Sequence, residues 1–246
     1  MDRKIRVGAV SYLNTKPLLY GIERSPVLKD MTLITDHPAR VADLLLKDEI
    51  DVGLVPVAII PQMKEYYINT RYVIGCDGPV ASVCLFSEVP VESLQTVVMD
   101  YQSRTSVALA RILLREYWQV NPAHQDADTG FLEKIKGTTG AVVIGDRALK
   151  QRTISTYVYD LGEAWKNLTG LPFVFAAWIS NKKLDPGWVT EFEKANGDGV
   201  HHLDRVLEGL NNDFFNLKAY YTRYLSYEMN AEKEKGLQVF LEKISS

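Results

Sequence analysis

Short apolar segments alternate with stretches of helical periodicity along the first 180 residues. The apolar segments predict strands at Ile5–Val10, Met31–Thr35, Asp51–Val55, Tyr72–Ile74, Ala81–Phe86, Thr96–Met99, Gly140–Ile144, Tyr157–Leu161 and Phe173–Ile179. Between them, apolar residues three and four apart predict helices, the clearest of which follows Ser103. After Asp185 the spacing of apolar residues predicts only helices, with a broad stripe from Leu203 to Leu225. This alternation is typical of mostly parallel sheets with helices on both faces.

The alternation falls into two sets, which predict a two-lobed α/β protein with a ligand cleft between the lobes. We assign the first lobe to residues 1–87 and 178–246 and the second lobe to residues 88–177. The chain is then expected to cross between lobes near Phe86–Val89 and near Ala176–Asn181. Ligands of such sheets bind outside the carboxyl ends of the strands. A single continuous sheet is the alternative.

The composition narrows the class of protein. The 246 residues are 46% hydrophobic and 24% charged, which suffices for a packed core. The 28 basic and 31 acidic residues leave a net charge of −3, which argues against a general nucleic-acid binder. The first residues lack the apolar core of a secretory signal, and no run approaches the roughly 18 apolar residues of a membrane span. We therefore expect a cytoplasmic protein without nucleic-acid or membrane partners, and its oligomeric state stays open.

The sequence lacks the common motifs of cofactor, metal and nucleophilic chemistry. It has no glycine fingerprint for dinucleotides, no phosphate-binding loop, no His-Glu-x-x-His motif and no nucleophile elbow. Cys76 and Cys84 do not have the spacing of a zinc site and are expected to pack like small apolar residues. Adjacent His201 and His202 face different sides of any regular element. We expect neither a metal site nor a cofactor.

Hydrogen-bonding residues lie where predicted strands end or helices begin. The candidate site residues are Ser11, Asn14, Ser82, Ser103, Thr105, Ser106 and Asp146. A helix N-terminus stabilises an anion through its unpaired N–H groups, so the hydroxyl cluster at 103–106 is a candidate anion site. An ordinary helix cap is the alternative for this cluster, and also for Asn14 ahead of Pro17. Tyr220, Tyr221 and Tyr224 are expected to pack rather than to bind.

Six motifs in order resemble the chorismate dehydratases of the futalosine route to menaquinone. The segments that carry the resemblance are Val10–Leu18, Asp51–Val57, Ala81–Ser87, Ser103–Leu109, Val143–Leu149, and Asp160–Trp165 leading to Thr169–Ala176. The resemblance covers roughly residues 5–180, and six motifs in sequence are more specific than any one of them. It implies a type II periplasmic-binding-protein-like fold. It also implies removal of water from chorismate to give 3-[(1-carboxyvinyl)oxy]benzoate.

A sister enzyme of the same fold acts later in that route on cyclic dehypoxanthine futalosine. That group carries a histidine base just after the strand that corresponds to Val142–Ile144, whereas this chain has Gly145 and Asp146 there. The difference favours the dehydratase. A position near Cys84 is often basic in relatives, so no charged role is transferred to this cysteine.

The chemistry of chorismate suits a site of uncharged hydrogen-bond donors. Loss of the ring proton places negative charge on the ring carboxylate, and donors aimed there stabilise this charge more than the ground state. We expect Ser103, Thr105 and Ser106 to hold one carboxylate from the second lobe. From the first lobe, Ser11 and Asn14 are expected to act, with Asn14 as the catalytic residue.

Ser82 completes the predicted site, and the identity of the general base stays open between two groups. Asp146 is one, although a carboxylate would be repelled by a doubly negative substrate. The substrate's own side-chain carboxylate is the other.

Two functions of other classes fit the same fold. A solute-binding protein for a small carboxylate is one, but we expect a transport receptor to carry a signal or a lipobox cysteine, and we find neither. An intracellular ligand sensor is the other, and it would normally carry a DNA-binding segment for which the two lobes leave no length.

Overall fold

The chain forms two five-stranded sheets in the computed structural model, which describes residues 3–210 and 212–245. The strands are β1 (Ile5–Val10), β2 (Met31–Asp36), β3 (Val52–Pro56), β4 (Tyr67–Cys76), β5 (Val83–Ser87), β6 (Thr96–Met99), β7 (Ala123–Asp126), β8 (Thr139–Ile144), β9 (Tyr157–Asp160) and β10 (Phe173–Ser180). The strand order is β2-β1-β3-β10-β4 in the first sheet and β7-β6-β8-β5-β9 in the second. Each sheet is the centre of one lobe, as predicted.

One strand in each sheet runs against the other four. In the first sheet β1 is parallel to β2 and β3, while β10 is antiparallel to both β3 and β4. In the second sheet β6 is parallel to β7 and β8, while β5 is antiparallel to both β8 and β9. Both reversed strands are the first strand after the chain has crossed from the other sheet. The mostly parallel arrangement is confirmed, and the crossings explain its two exceptions.

Both crossings occur one strand earlier than predicted. Val83–Ser87 belongs to the second sheet and Phe173–Ser180 to the first. The predicted crossings near Phe86–Val89 and Ala176–Asn181, and with them the boundaries 1–87, 88–177 and 178–246, are therefore too late. Every residue of β5 and of β10 is buried, so neither strand has the polar face that would distinguish one sheet from the other.

Helices cover the sheets and begin at recognisable caps. They are α1 (Lys16–Arg24), α2 (Pro38–Leu46), α3 (Arg104–Glu116), α4 (Gly145–Gln151), α5 (Leu161–Thr169), α6 (Pro186–His201), α7 (Leu203–Glu208), α8 (Leu217–Ala219) and α9 (Ala231–Ser245). Short 3₁₀ helices lie at Leu13–Thr15, Pro26–Asp30, Val57–Gln62, Val91–Ser93 and Phe131–Lys134, and a π-helical turn at Tyr220–Tyr224. Ser103, Asp160 and Asp185 cap α3, α5 and α6 through their side-chain oxygens. None of the helices among residues 3–210 and 212–245 is long and apolar enough to cross a membrane.

The C-terminal part is not entirely helical, contrary to the prediction. Residues 225–230, which we call the C-terminal strap, run alongside β4. The Tyr227 carbonyl accepts the Val73 N–H at 2.7 Å, and the Ser226 N–H donates to the Gly75 carbonyl at 2.8 Å. The pairing with β4 overrides the helical spacing of the apolar residues. Strand β7 was also missed, because its four residues are all exposed and show no apolar pattern.

Two structural features stabilise the first lobe in regions that are distant from the cleft. Helices α1 and α6 cross so closely that a Cβ on Gly199 would lie 1.7 Å from the Pro17 carbonyl oxygen. At the opposite end of the sheet from the cleft, the buried Asp51 carboxylate accepts from Arg6 Nη2 at 3.0 Å and from Lys182 Nζ at 2.6 Å. Burial alone would raise the pKa of Asp51, but the bonds from Arg6 and Lys182 outweigh it and hold that pKa well below its usual range.

Candidate active site

A cavity of about 470 Å³, including its mouth, lies between the two lobes. Val10, Pro56 and Ile144 line it and are the last residues of β1, β3 and β8, so it lies at the carboxyl ends of these strands, as predicted. Its polar lining side chains are Tyr12, Asn14, Thr15, Ser82, Ser103 and Ser106.

Ser103 and Ser106 bring the N-terminus of α3 to the cavity wall. The Ser103 Oγ accepts the Ser106 N–H at 3.2 Å and lies 2.9 Å from the Ser106 Oγ. Ser103 is therefore an ordinary helix cap and a cavity residue at once. The positive end of a 13-residue helix and two hydroxyls face the same space, which suits an anionic ligand group.

Thr105 is not among the lining residues, although it lies between two positions that flank the cavity. Its side chain is fully buried, and its Oγ1 accepts the N–H of Ala58, in the 3₁₀ helix after β3, at 3.1 Å. One residue of helix turns the side chain by about 100°, toward the first lobe. The predicted carboxylate contact is thus replaced by a hydrogen bond between the lobes.

Ser11 also lies outside the cavity wall and is exposed. Its N–H donates to the Asp36 carbonyl at 3.3 Å, which continues the pairing of β1 with β2. Side chains alternate along an extended chain, so the position after cavity-lining Val10 points elsewhere. The predicted role of Ser11 in substrate binding has no support in this geometry.

Asn14 lies in the short 3₁₀ helix before α1 and lines the cavity. Its Oδ1 accepts the Thr15 hydroxyl at 3.1 Å, and its main-chain carbonyl accepts the Tyr227 hydroxyl at 2.7 Å. The N-cap of α1 is Thr15, so Asn14 is not the cap that was its alternative role. Within the part of the chain that the structure describes, the Asn14 Nδ2 has no hydrogen-bond partner, which leaves it to donate to a ligand.

Ser82 ends the segment that crosses from the first sheet to the second. It is only 1% exposed and lines the cavity. The residue before it, Ala81, has a φ of 62°, in the left-handed region that costs a non-glycine residue about 1 kcal/mol or more. The crossing segment is therefore held in a conformation that it would not adopt alone.

Asp160 holds the crossing segment in place. Its carboxylate accepts the N–H of Val80 at 3.0 Å and of Ala81 at 2.7 Å. The same carboxylate caps α5 by accepting the Gly162 N–H at 3.0 Å. Burial raises the pKa of Asp160, and these N–H bonds oppose that shift. Asp160 was part of a recognised motif, but its role in presenting Ser82 was not predicted.

Three buried tyrosines from the C-terminal part hold the first-lobe and crossing segments of the site. The hydroxyls of Tyr220, Tyr221 and Tyr227 donate to the Ser82 Oγ at 2.7 Å, the Leu13 carbonyl at 2.9 Å and the Asn14 carbonyl at 2.7 Å, respectively. Burial raises the pKa of all three phenols. The prediction that Tyr220 and Tyr221 only pack was incomplete, since a buried tyrosine hydroxyl generally requires a partner.

Asp146 lies at the start of α4 and contacts the first lobe, but it is not among the lining residues. Its Oδ1 accepts the Leu13 N–H at 3.0 Å. Burial raises the pKa of Asp146, and the bond from Leu13 together with nearby Lys16 and Lys150 lowers it in part. Because the carboxylate faces the backbone of the first lobe, its geometry suits lobe closure better than proton abstraction.

Further contacts between the lobes show that the structure is in a closed arrangement. The Ala39 N–H donates to the Gln102 carbonyl at 3.1 Å, and Arg104 forms an ion pair with Asp43. The Tyr12 hydroxyl donates to the Gln102 side chain. These contacts join the two lobes beside the cavity that the polar groups line.

Arg147 holds Gln102 in position from the second lobe. Its Nη2 donates to the Gln102 Oε1 at 2.7 Å and to both oxygens of the buried Asp100, the shorter distance being 2.8 Å. Asp100 also accepts the Ile144 N–H at 3.1 Å, at the end of β8. The network fixes the wall around the cavity.

The wall of the cavity provides hydrogen bonds without formal charge. Among the described residues that line it, no side chain is acidic or basic except the Tyr12 phenol, whose pKa is raised by burial. Apolar side chains such as Ile74 and Phe175 form the rest of the wall. No group of three or more potential metal ligands lies together in the described part of the chain. The arrangement suits a small ring with acidic substituents.

The family model described as menaquinone biosynthesis matches residues 5–246. The chain belongs to this menaquinone biosynthesis family. It is 28% identical to the chorismate dehydratase of Thermus thermophilus in an alignment that covers 82% of this chain and 80% of that protein. It is 24% identical to the chorismate dehydratase of Campylobacter jejuni over 243 residues, with 95% of each chain covered. The resemblance found in the motifs is confirmed.

Solved structures show the same fold. A structural-genomics protein from Archaeoglobus fulgidus superposes with a TM-score of 0.79 at 13% identity, covering 99% of this chain and 97% of the other. A Candida albicans gene product, described as having the generic periplasmic binding protein fold, superposes with a TM-score of 0.61 at 12% identity, covering 98% and 89%. The predicted periplasmic-binding-protein-like fold is confirmed.

Proposed function

We propose that this protein of the menaquinone biosynthesis family is a chorismate dehydratase, a lyase that converts chorismate to 3-[(1-carboxyvinyl)oxy]benzoate and water. The observation that carries the proposal is the closed cavity whose uncharged donors come from both lobes and from the crossing segment. Chorismate presents two carboxylates on an unsaturated ring, which matches donors set in an otherwise apolar wall. The chorismate dehydratases that align over most of the chain support the same substrate.

One substrate carboxylate is assigned to the N-terminus of α3. Ser103 and Ser106 lie there with their hydroxyls 2.9 Å apart, close enough to contact one carboxylate together. A hydrogen bond to a charged group contributes about 1.5–3 kcal/mol net, so two hydroxyls and the helix terminus provide substantial affinity. No cation is required for this binding.

Asn14 and Ser82 act on the reacting part of the substrate from the opposite side. The free Nδ2 of Asn14 donates to the hydroxyl that leaves or to the oxygen that gains charge. Such donors accelerate the reaction because they contact the developing charge more strongly than the ground state. Asn14 is the catalytic residue in this proposal.

The reaction balances without a co-reactant. A base takes the proton from the ring carbon that bears the enolpyruvyl ether, and the electron pair of that C–H bond moves into the ring toward the ring carboxylate. The pair then returns as the C–O bond to the neighbouring hydroxyl breaks, and the ring becomes aromatic. The hydroxide and the proton form the water that is released.

The substrate's side-chain carboxylate is the base that we favour. Asp146 is the only acidic candidate from the sequence, and its carboxylate accepts from Leu13 outside the lining residues. The Asp146 carboxylate would also be repelled by the two carboxylates of the substrate. Holding the substrate carboxylate near the ring proton needs only the positioning that the closed lobes supply.

Incubation of the purified protein with chorismate tests the proposal. We expect a new aromatic product by ultraviolet absorbance, with a mass lower than chorismate by one water. Binding of chorismate without conversion would instead support a solute-binding protein. Conversion of cyclic dehypoxanthine futalosine, with chorismate left unchanged, would support the sister enzyme.

A further inference from the structure

Tyr220 contacts the cavity wall through Ser82. It is fully buried, at the start of the π-helical turn, and packs against Phe215 with ring centroids 6.0 Å apart. Its hydroxyl donates to the Ser82 Oγ at 2.7 Å. Tyr220 is not itself a lining residue, so it can affect a ligand only through the serine.

This contact determines which way the Ser82 hydroxyl can donate. A serine hydroxyl has one hydrogen and two lone pairs, and Tyr220 occupies one lone pair. In residues 3–210 and 212–245, no group accepts the hydrogen of Ser82, although the side chain is only 1% exposed. A buried donor without a partner is costly, and the cavity is where a partner can be supplied.

We propose that Tyr220 is a positioning residue that turns the Ser82 hydroxyl hydrogen toward the cavity, where it donates to a substrate oxygen that gains negative charge. The role rests on the proposed function, because it takes the substrate to be a carboxylate whose charge increases during the reaction. The chain from the Tyr220 hydroxyl through the Ser82 hydroxyl to the anionic oxygen also polarises each bond in turn. The contact therefore assists turnover more than ground-state binding.

Four variants test this role in steady-state turnover of chorismate. They are Tyr220→Phe, Ser82→Ala, the double variant, and Tyr224→Phe as a matched control. Tyr224 lies in the same π-helical turn and packs against Phe215, but within the described residues its hydroxyl forms no hydrogen bond. The control removes an equivalent hydroxyl without touching Ser82.

Tyr220→Phe is expected to lower kcat about tenfold and to change KM by less than about twofold. In the Ser82→Ala background the same change is expected to lower kcat by less than about twofold further, because its effect depends on the serine. Tyr224→Phe is expected to retain the wild-type kcat. A purely structural role of Tyr220 would instead lower the melting temperature and reduce kcat in both backgrounds alike.

A product complex gives a second measurement should Tyr220→Phe fail to fold. We expect the Ser82 Oγ within about 2.5–3.0 Å of a product carboxylate oxygen while Tyr220 still donates to it. The role is overturned by a kcat of Tyr220→Phe equal to wild type, by equal losses in both backgrounds, or by a Ser82 hydroxyl turned away from the product. A wild-type protein that forms no product overturns the proposed function and this role together. Product formation with an unaffected Tyr220→Phe variant overturns this role alone.

Discussion

Replacement of Asn14 by alanine should remove turnover and leave the fold intact. The side chain provides a free Nδ2 donor to the cavity, and loss of one donor to a developing negative charge lowers kcat about 10²–10³-fold. The fold depends on Asn14 mainly through its main-chain carbonyl, which accepts the Tyr227 hydroxyl at 2.7 Å and is kept in any variant. The side chain contributes one hydrogen bond, from the Thr15 hydroxyl at 3.1 Å, so the free energy of unfolding should fall by only about 1 kcal/mol.

Product formation from chorismate and unfolding in urea together measure these two effects. Asn14→Asp is an informative second variant, because it keeps the acceptor for Thr15 but turns a carboxylate toward an anionic substrate. It should raise KM as well as lower kcat. Asn167→Ala is the matched control, because that asparagine is bonded to Tyr117 outside the cavity at 3.3 Å.

Two results would refute this reasoning about Asn14. A kcat of Asn14→Ala within about threefold of wild type would mean that the amide contacts no developing charge. A loss of activity that only accompanies a large loss of stability would mean that the side chain is structural.

Three further predictions concern the lobes. Asp146→Asn keeps an acceptor for the Leu13 N–H and should retain kcat within about threefold, whereas a catalytic base at this position would make kcat fall by orders of magnitude. The pKa of Asp146 is raised in the folded protein, so its charged form opposes folding. The Asp146→Asn variant should therefore require more urea to unfold than wild type at pH 7. This difference in stability should vanish as the pH falls toward about 4, because the wild-type carboxyl group is then protonated. Asp51→Asn should lower the free energy of unfolding by about 1–3 kcal/mol at pH 7. The lowered pKa of Asp51 shows that its carboxylate stabilises the fold only while it is ionised. The difference in urea stability between the variant and wild type should therefore shrink as the pH falls below about 4. Gly199→Ala should destabilise by about 1–3 kcal/mol or more through overlap with a main-chain oxygen, whereas Gly209→Ala, whose Cβ would meet its nearest atom at 3.9 Å, should unfold like wild type.

The parts of the site that could be predicted from sequence are those that depend on local structure. Ser103 follows a predicted strand and precedes a predicted helix, and both assignments place it at a helix cap near the carboxyl end of a sheet. Asn14 was found for the same reason, since it follows the first predicted strand, whereas Ser82 lies near the beginning of the predicted strand Ala81–Phe86. The expected identity of the substrate came from the motifs that resemble the menaquinone biosynthesis family, because no spacing of residues could indicate it.

The errors in the predicted site concern the direction in which side chains point rather than the position of the residues along the chain. Ser11 and Thr105 are each one residue from a cavity-lining neighbour, yet neither lines the cavity. One residue reverses the side-chain direction in extended chain and turns it by about 100° in a helix, so the lining depends on how each element faces its surroundings. The sheet that accepts β5 or β10 could not be predicted either, because a fully buried strand fits either one.

The amino-acid pattern by itself determined the described strands other than β7, the helix caps and the types of group near the cleft, because these depend on neighbours a few residues apart. Only the tertiary structure decided which groups meet. The Tyr220 hydroxyl contacts Ser82 across 138 residues of sequence, and Asp146 contacts Leu13 across 133. Such contacts arise from the packing of one lobe and the C-terminal part against the other, and no local periodicity encodes that placement.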